Sequence, residues 1–448
     1  MKSAAEQLAS NINFDTFSKA KDLKRRLWFT LGALIVYRLG TYIPLPGIDA
    51  SIMSQIISQK SGGLIGIFNK FSGGALGRMS VFALGIMPYI SASIIMQLLT
   101  AVVPQLETLK KEGQYGQKKI KEYTRYLSVV IATVQSYGLA MMLEGGMETS
   151  PVIDGGFVFR FTTVTTIIGG TLFLMWLGEQ ITQRGIGNGI SLIIFSGIVA
   201  GLPQAVIATL EMGRVEAYTS FFIFVLLLCV VALFMLVVFV ERAQRRLTIQ
   251  YPKRQQGNKI YGGQTTHLPI KLNSSGVIPP IFAYALLSLP MTISSFTASS
   301  TSSTAGWLNT ILASLSQGKP LFLITFVALI IFFSFFYTAI LFNPEETAEN
   351  LKKNGGFIPG YRPGKMTSSY LEYVLTRLTV VGSVYLAVVC SLPEVAMTMY
   401  SIPFALGGTS ILIVVSVSMD TVAQIQSHLL AHQYKGLIGR TKKRGSRK

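Results

Sequence analysis

Few residues in this chain have both the type and the spacing that bond-making chemistry needs. His428 and His432 stand four apart, which places two imidazoles on one helical face where they could bind a metal. No third ligand and no glutamate partner accompanies them, so two solvated histidines are the plainer reading. Gly318-Lys319 and Gly364-Lys365 lack the upstream glycine of a phosphate-binding loop, and neither lysine is followed by Ser or Thr. Arg184-Gly185-Ile186-Gly187-Asn188-Gly189 is glycine-rich, but no strand precedes it. A tight loop ahead of a helix explains it better than a dinucleotide fingerprint. Cys229 and Cys390 lie inside apolar runs, form no CxxC motif and read as small hydrophobes. The residues therefore point to no cofactor, no metal and no enzyme.

The elements that would position any site are helices in a bilayer. Half of the 448 residues are hydrophobic and only 13% are charged, against roughly 25% in a soluble globular chain. Phe221–Val240 carries no charge at all over a length that spans a hydrocarbon core of ~30 Å. Ten such spans are expected, near 27–43, 79–103, 124–143, 160–180, 190–209, 220–240, 275–295, 320–341, 371–392 and 404–425. The expected fold is all-α and polytopic. The basic residues give it an orientation, because 31 of the 39 fall on the side that carries both termini and six on the other. By the positive-inside rule both termini are cytoplasmic. The formal charge of +19 is then largely a cytoplasmic rim. The tail Gly439–Lys448 suits lipid headgroups or ribosomal RNA phosphates. Residues 1–26 form a polar, weakly amphipathic cytoplasmic segment with no signal-peptide core.

Charge within the spans is sparse. Arg38 lies toward the outer end of the first span, where its stem can snorkel. Arg377 and Asp420 lie about two turns from the cytoplasmic ends of spans 9 and 10 and are expected to pair. A proton-coupled transporter normally shows mid-membrane carboxylates, and none is evident here.

Span 2 contains Gly85-Ile86-Met87-Pro88-Tyr89-Ile90 and span 7 contains Gly276-Val277-Ile278-Pro279-Pro280-Ile281. Both read G-[IV]-[MI]-P-x-I, at matching places in two sets of five spans, 27–209 and 210–425. Span 2 enters from outside and span 7 from inside, so the halves are expected to have inverted topology. Interrupted helices at matching positions of inverted repeats point to a substrate path between the halves. Ahead of span 2, Leu64, Ile67, Phe68 and Phe71 fall at helical spacing within the glycine-rich stretch 62–78. They suggest a short helix that cannot span and sits in a cavity or at the interface. The loop 241–271 alternates in Leu247-Thr248-Ile249-Gln250-Tyr251 and turns near Gln256-Gly257-Asn258, which predicts a basic hairpin.

Four stretches carry a resemblance: FSGGALGRMSVFALGIMPYISASIIMQLL (71–99), FLMWLGEQITQRGIGNGISLIIFSGIVAGLP (173–203), GQTTHLPIKLNSSGVIPPIFA (263–283) and FNPEETAENLKKNGGFIPGYRPG (342–364). With the ten-span order around them, they resemble the SecY/Sec61-alpha family of protein-translocase pore subunits, in its bacterial form. The resemblance implies a gated protein-conducting channel in the bacterial inner membrane. Its constriction ring would be Ile86, Ile90, Ile190, Ile194, Ile281 and Ile413. The short helix within 62–76, with Leu64, Ile67, Phe68 and Phe71, would be a re-entrant plug. Spans 2 and 7 would form a lateral gate marked by Pro88, Pro279 and Pro280. Ser91, Ser93 and Gln97 could keep that seam weakly polar or bond to a neighbouring helix. The loops 241–271 and 342–370, with Arg245, Arg246, Lys253, Arg254 and Arg362, would dock the ATPase SecA or a ribosome carrying a nascent chain. The implied partners also include the small subunits SecE and SecG and the phospholipid bilayer. A secondary transporter of a small solute is the alternative, since inverted repeats serve that class too.

Overall fold

The computed structural model describes residues 21–49, 52, 72–145, 151–214, 218–252, 254–256, 259–261, 263, 265–297, 319–400 and 407–445. Leu64, Ile67, Phe68, Phe71 and Lys253 lie outside them, as does most of the N-terminal segment. The helices are α1 (Lys21–Gly40), α2 (Met87–Val102), α3 (Pro104–Lys111), α4 (Gln114–Gly145), α5 (Phe157–Arg184) and α6 (Gly189–Arg214). They continue with α7 (Ser220–Arg242), α8 (Ile278–Thr297), α9 (Pro320–Leu341), α10 (Pro344–Lys353), α11 (Lys365–Tyr400) and α12 (Gly408–Gly445). Each expected span coincides with one of them. By length and composition, seven described helices are able to cross a membrane: α4, α5, α6, α7, α9, α11 and α12. The pair α2–α3 makes an eighth candidate, bent by 97° at Val103. The bend follows from Pro104, which holds Val103 extended at φ −94°, ψ 114° and opens α3 as its first residue.

α7 shows why a bilayer is required. It is apolar on every side, and only 11% of its most hydrophobic window is buried. Phe221 and Phe239 are each about three-quarters exposed. A soluble protein does not leave such a surface in water, whereas hydrocarbon accepts it once the helix has satisfied its own backbone. The protein is a multi-pass membrane protein.

Two boundaries differ from expectation for local reasons. Span 2 was expected from residue 79, but α2 begins at Met87. Residues 72–86 form turns, Met79 and Gly85 adopt positive φ (43° and 56°), and Pro88 sits in the first turn of α2. Proline there cannot donate a bond to an upstream turn, so the helix starts rather than continues. At the other end of the chain α12 does not stop near 425. It runs on to Gly445, so the basic tail extends a helix.

Between α7 and α8 lie strands β1 (Gln244–Gln250), β2 (Arg254–Gln256), β3 (Lys259–Tyr261) and β4 (Thr265–Lys271). β1 pairs antiparallel with β4, from Gln244 opposite Lys271 to Gln250 opposite Thr265, and β2 pairs with β3 beyond them. An isolated bridge joins Gln250 to Phe357 in the loop after α10. α10 is fixed by its ends. The Asn343 side chain accepts from the Glu345 and Glu346 N–H groups, with acids in the first turn and Lys352 and Lys353 in the last.

The largest core joins α1, α2, α5, α6, α8, α9 and α12. A second core packs α7, α8, α9, α11 and α12, and a third lies under the turns at 45–83 against α4 and α5.

Candidate functional site

All six isoleucines singled out as a ring belong to the largest core. Ile86, Ile90, Ile194 and Ile413 are buried, and Ile190 and Ile281 pack against them half-buried. Ile86 is the residue that caps α2, and Ile90 follows one turn on. Ile190 and Ile194 stack one turn apart on α6, which puts both on one face. Ile281 comes from the first turn of α8 and Ile413 from the first two turns of α12. Four elements thus contribute branched aliphatics to one core. Met87, Ile90, Ile194, Ile281 and Tyr284 enclose a void of only about 10 Å³. That is at or below the room one water needs.

α2 and α8 lie side by side next to this void. Both start in the same way. Gly85 (φ 56°) and Gly276 (φ 63°) take the left-handed conformation two residues before their helices. That conformation costs a residue with a Cβ about 1–2 kcal/mol. Pro88 then occupies the first turn of α2, and Pro279 and Pro280 that of α8. The repeated motif is therefore a repeated helix start. Ser91 is buried, Gln97 Nε2 donates to Ser93 Oγ at 3.4 Å, and Thr100 donates to the Gln97 carbonyl. Among the described residues these side-chain bonds of α2 stay within α2. The Oε1 atom of Gln97 is buried without a partner. The α2–α8 seam is held by apolar contact.

Ahead of α2, the described end of the 62–78 stretch is tightly anchored. Tyr37 Oη donates to the Ser72 carbonyl at 3.2 Å. Arg38 Nη1 and Arg78 Nη2 both donate to the Gly73 carbonyl, at 2.8 and 3.0 Å, and both guanidinium groups lie over the Tyr42 ring. Arg38 thus does more than snorkel: it ties α1 to the turn that precedes α2. Gly73 passes so close to α6 that an added Cβ would lie 2.8 Å from Gly197 Cα.

On the hairpin side, Arg245, Arg246 and Arg362 are exposed, and Arg254 lies on β2. β1 and the loop after α10 frame a cavity of about 780 Å³ lined by Arg245, Arg246, Ile358, Pro359, Tyr370 and Leu378. The Tyr361 and Tyr370 rings stack at 4.1 Å, and the Arg362 carbonyl accepts from Thr367 Oγ1.

One expected pair does not form. Arg377 lies over the Tyr373 ring at 4.3 Å, and Asp420 faces Lys271 Nζ at 3.8 Å. An arginine finds an aromatic face one turn away on its own helix more readily than a carboxylate on another. The Asp420–Lys271 pair is more than half exposed on both sides and contributes little. His428 is exposed, and among the described residues no three metal-ligating side chains cluster.

The glycine loop at 184–189 carries more than the sequence suggests. The Arg26 side chain donates to the Gly185 carbonyl, Ile186 N–H to Thr30 Oγ1, Gly187 N–H to Gln424 Oε1 and Gly189 N–H to Thr182 Oγ1. This loop knots α1, α5, α6 and α12 together. Sequence reasoning passed over it because its partners lie up to 237 residues away.

The sequence profile of the SecY family matches residues 80–422. The protein translocase subunit SecY of Rickettsia conorii is 54% identical over 430 residues, covering 95% of this chain and 98% of that one. The Escherichia coli K12 protein of the same name is 51% identical over 426 residues, covering 95% and 96%. Among solved structures, one described as a protein-conducting channel aligns with a TM-score of 0.64 at 17% identity over 91% of this chain and 92% of its own. Sec61 of a canine ribosome–channel complex aligns at 0.63 and 18% over the same shares. These two likenesses concern the fold, whereas the sequence matches carry the ancestry: the chain belongs to the SecY family.

Proposed function

We propose that this protein is the pore of a protein-conducting channel, which passes unfolded secretory polypeptides across the membrane and releases apolar segments sideways into lipid. The observation that supports the reading is that Ile86, Ile90, Ile190, Ile194, Ile281 and Ile413 belong to one apolar core. Such a ring excludes ions by dewetting. It also offers a sliding chain no hydrogen bond strong enough to hold it. A solute transporter needs a polar midplane site, and this core is apolar.

In this reading ten spans form two inverted halves, 27–209 and 210–425, with both termini in the cytoplasm of a bacterial inner membrane. The plug comprises residues 62–76 and closes the outer side. The gate lies between α2 and α8, and the side-chain bonds of Gln97 and Thr100 that stay within α2 suit it to parting. Separating two apolar helices into lipid replaces one set of dispersion contacts with another. A nascent span then gains ~0.3–0.6 kcal/mol for each central Leu, Ile, Phe or Val. The exposed arginines at 245, 246 and 362, with Lys253 and Arg254, dock SecA or a ribosome, and SecE and SecG complete the assembly. With no nucleotide motif in the chain, the energy comes from the docked partner.

The test is a secretory chain stalled in transit, with a photo-crosslinker placed at Ile86 or Ile281. Crosslinks from both positions to the stalled chain are expected. Labelling of lipid alone from both would overturn the pore.

A further inference from the structure

The turn that launches α8 contains a buried polar network. Asn273 is 3% exposed and its side chain brackets Gly276. Its Oδ1 accepts from the Gly276 N–H and from Ser275 Oγ, both at 3.1 Å, and its Nδ2 donates to the Gly276 carbonyl at 3.1 Å. The remaining Nδ2 proton goes to Glu241 Oε1 at 2.7 Å. That uses both donor protons of the amide and its acceptor oxygen. Glu241 stands in the last turn of α7 and is 7% exposed. A helix C-terminus disfavours a carboxylate there, and burial disfavours it further. The first-half turn provides an internal control. Gly85 has the same left-handed conformation, and its N–H bonds the Phe82 carbonyl rather than a side chain. A left-handed helix start therefore does not itself require the bracket.

What distinguishes the second-half turn is the hairpin attached to it. The β1–β4 ladder continues inward through Leu272 N–H to the Ala243 carbonyl at 3.0 Å. Glu241 and Asn273 come next, so the hairpin ends on this carboxylate–amide bond. α11 backs the joint closely, since a Cβ added to Gly382 would lie 3.0 Å from the Leu272 carbonyl. At its far end β1 is bridged to Phe357, in the same loop as Arg362. One rigid path thus runs from the exposed arginines, along the hairpin, into the turn that sets the direction of α8.

We propose that Glu241 and Asn273 form a coupling joint, which converts displacement of the hairpin by a docked cytosolic partner into movement of α8 away from α2. Neither residue touches the translocating chain; both are positioning residues. The inference rests on the channel reading above. The joint explains why a carboxylate is tolerated where helix dipole and burial both oppose it. A bond this short to a charged acceptor makes the hairpin and the Gly276 turn move as one body.

The test uses the full chain with its partner subunits in proteoliposomes, and the ATPase motor as the docked partner. Motor affinity and transport per bound motor are measured separately. Asn273→Ala removes four hydrogen bonds, one of them to a carboxylate, and should keep motor affinity near wild type while losing at least roughly tenfold in transport per bound motor. Glu241→Gln keeps an acceptor at Oε1 but removes its charge, and should lose transport per bound motor by less than Asn273→Ala. Ser275→Ala removes one peripheral bond and should show a smaller loss in the same direction, which preserves the test if Asn273→Ala fails to assemble. Wild-type transport per bound motor in assembled Asn273→Ala, or in Ser275→Ala where the first does not assemble, would overturn the joint. So would motor affinity falling in step with transport, which would make the network a support for the docking surface only. A wild-type chain that transports nothing would instead overturn the channel reading itself.

Discussion

At the residue scale, the apolar core makes a direct prediction. Ile413 is 2% exposed among branched aliphatics. Replacing it with Asn puts an amide into the proposed ring, whose apolar side chains would exclude water. Resting ion conductance of the Ile413→Asn channel in a planar bilayer should rise clearly above wild type, whereas Ile413→Leu should stay near it. Glycine gives a second prediction. Gly276 has open space where a Cβ would stand, so Gly276→Ala should cost only the left-handed penalty of about 1–2 kcal/mol. Gly73 has the same sign of φ, but its Cβ would press on Gly197. Gly73→Ala should therefore add an overpacking cost of about 1–3 kcal/mol. Thermal unfolding in detergent should rank Gly73→Ala well below Gly276→Ala. At the exposed Arg362 a charge reversal touches no core. Arg362→Glu should leave assembly intact and abolish ATP-driven export, and normal export would remove this arginine from the docking surface.

At the element scale, the described end of the 62–78 stretch limits how its function can be tested. Ala75 and Leu76 are buried, and the Gly73 carbonyl holds two arginines. A deletion through residue 76 would strip these anchors and confound sealing with stability. Deleting 62–71 alone leaves them in place and should raise resting conductance. Unchanged conductance would show that those residues plug nothing. Much of the element layout was legible in the sequence, because apolar runs and Gly/Pro punctuation act on their own neighbours. α7 and α9 fall within a residue or two of expectation. α2 did not, because the expectation followed apolarity across Met79–Ile86, whereas the left-handed glycine and Pro88 begin the helix at Met87. The tail was read as a separate basic segment, yet α12 extends through it since nothing before Gly445 stops a helix.

At the scale of the whole molecule, the basic residues predict a topology that labelling can check. Single cysteines at Lys435 and at Arg214, in a chain without Cys229 and Cys390, should react with an impermeant thiol reagent from opposite sides of intact membrane vesicles. The position 435 cysteine should react only from the cytoplasmic face. Reaction of both from one side would undo the inverted halves and with them the substrate path between them. The sequence by itself determined that the chain lives in a membrane and where two matching helix starts lie, and its charge sets the orientation that labelling would check. These follow from hydrophobicity, charge and backbone propensity, which operate over a few residues. Only the tertiary structure decided that six isoleucines from α6, α8, α12 and the start of α2 share one apolar core, and that Asp420 faces Lys271 while Arg377 lies over Tyr373. It alone placed Arg38 and Arg78 on the Gly73 carbonyl, and it bound Asn273 to Glu241 beneath the start of α8. Along the chain every apolar face of a membrane helix looks alike; which face meets which is settled by packing between segments far apart in sequence.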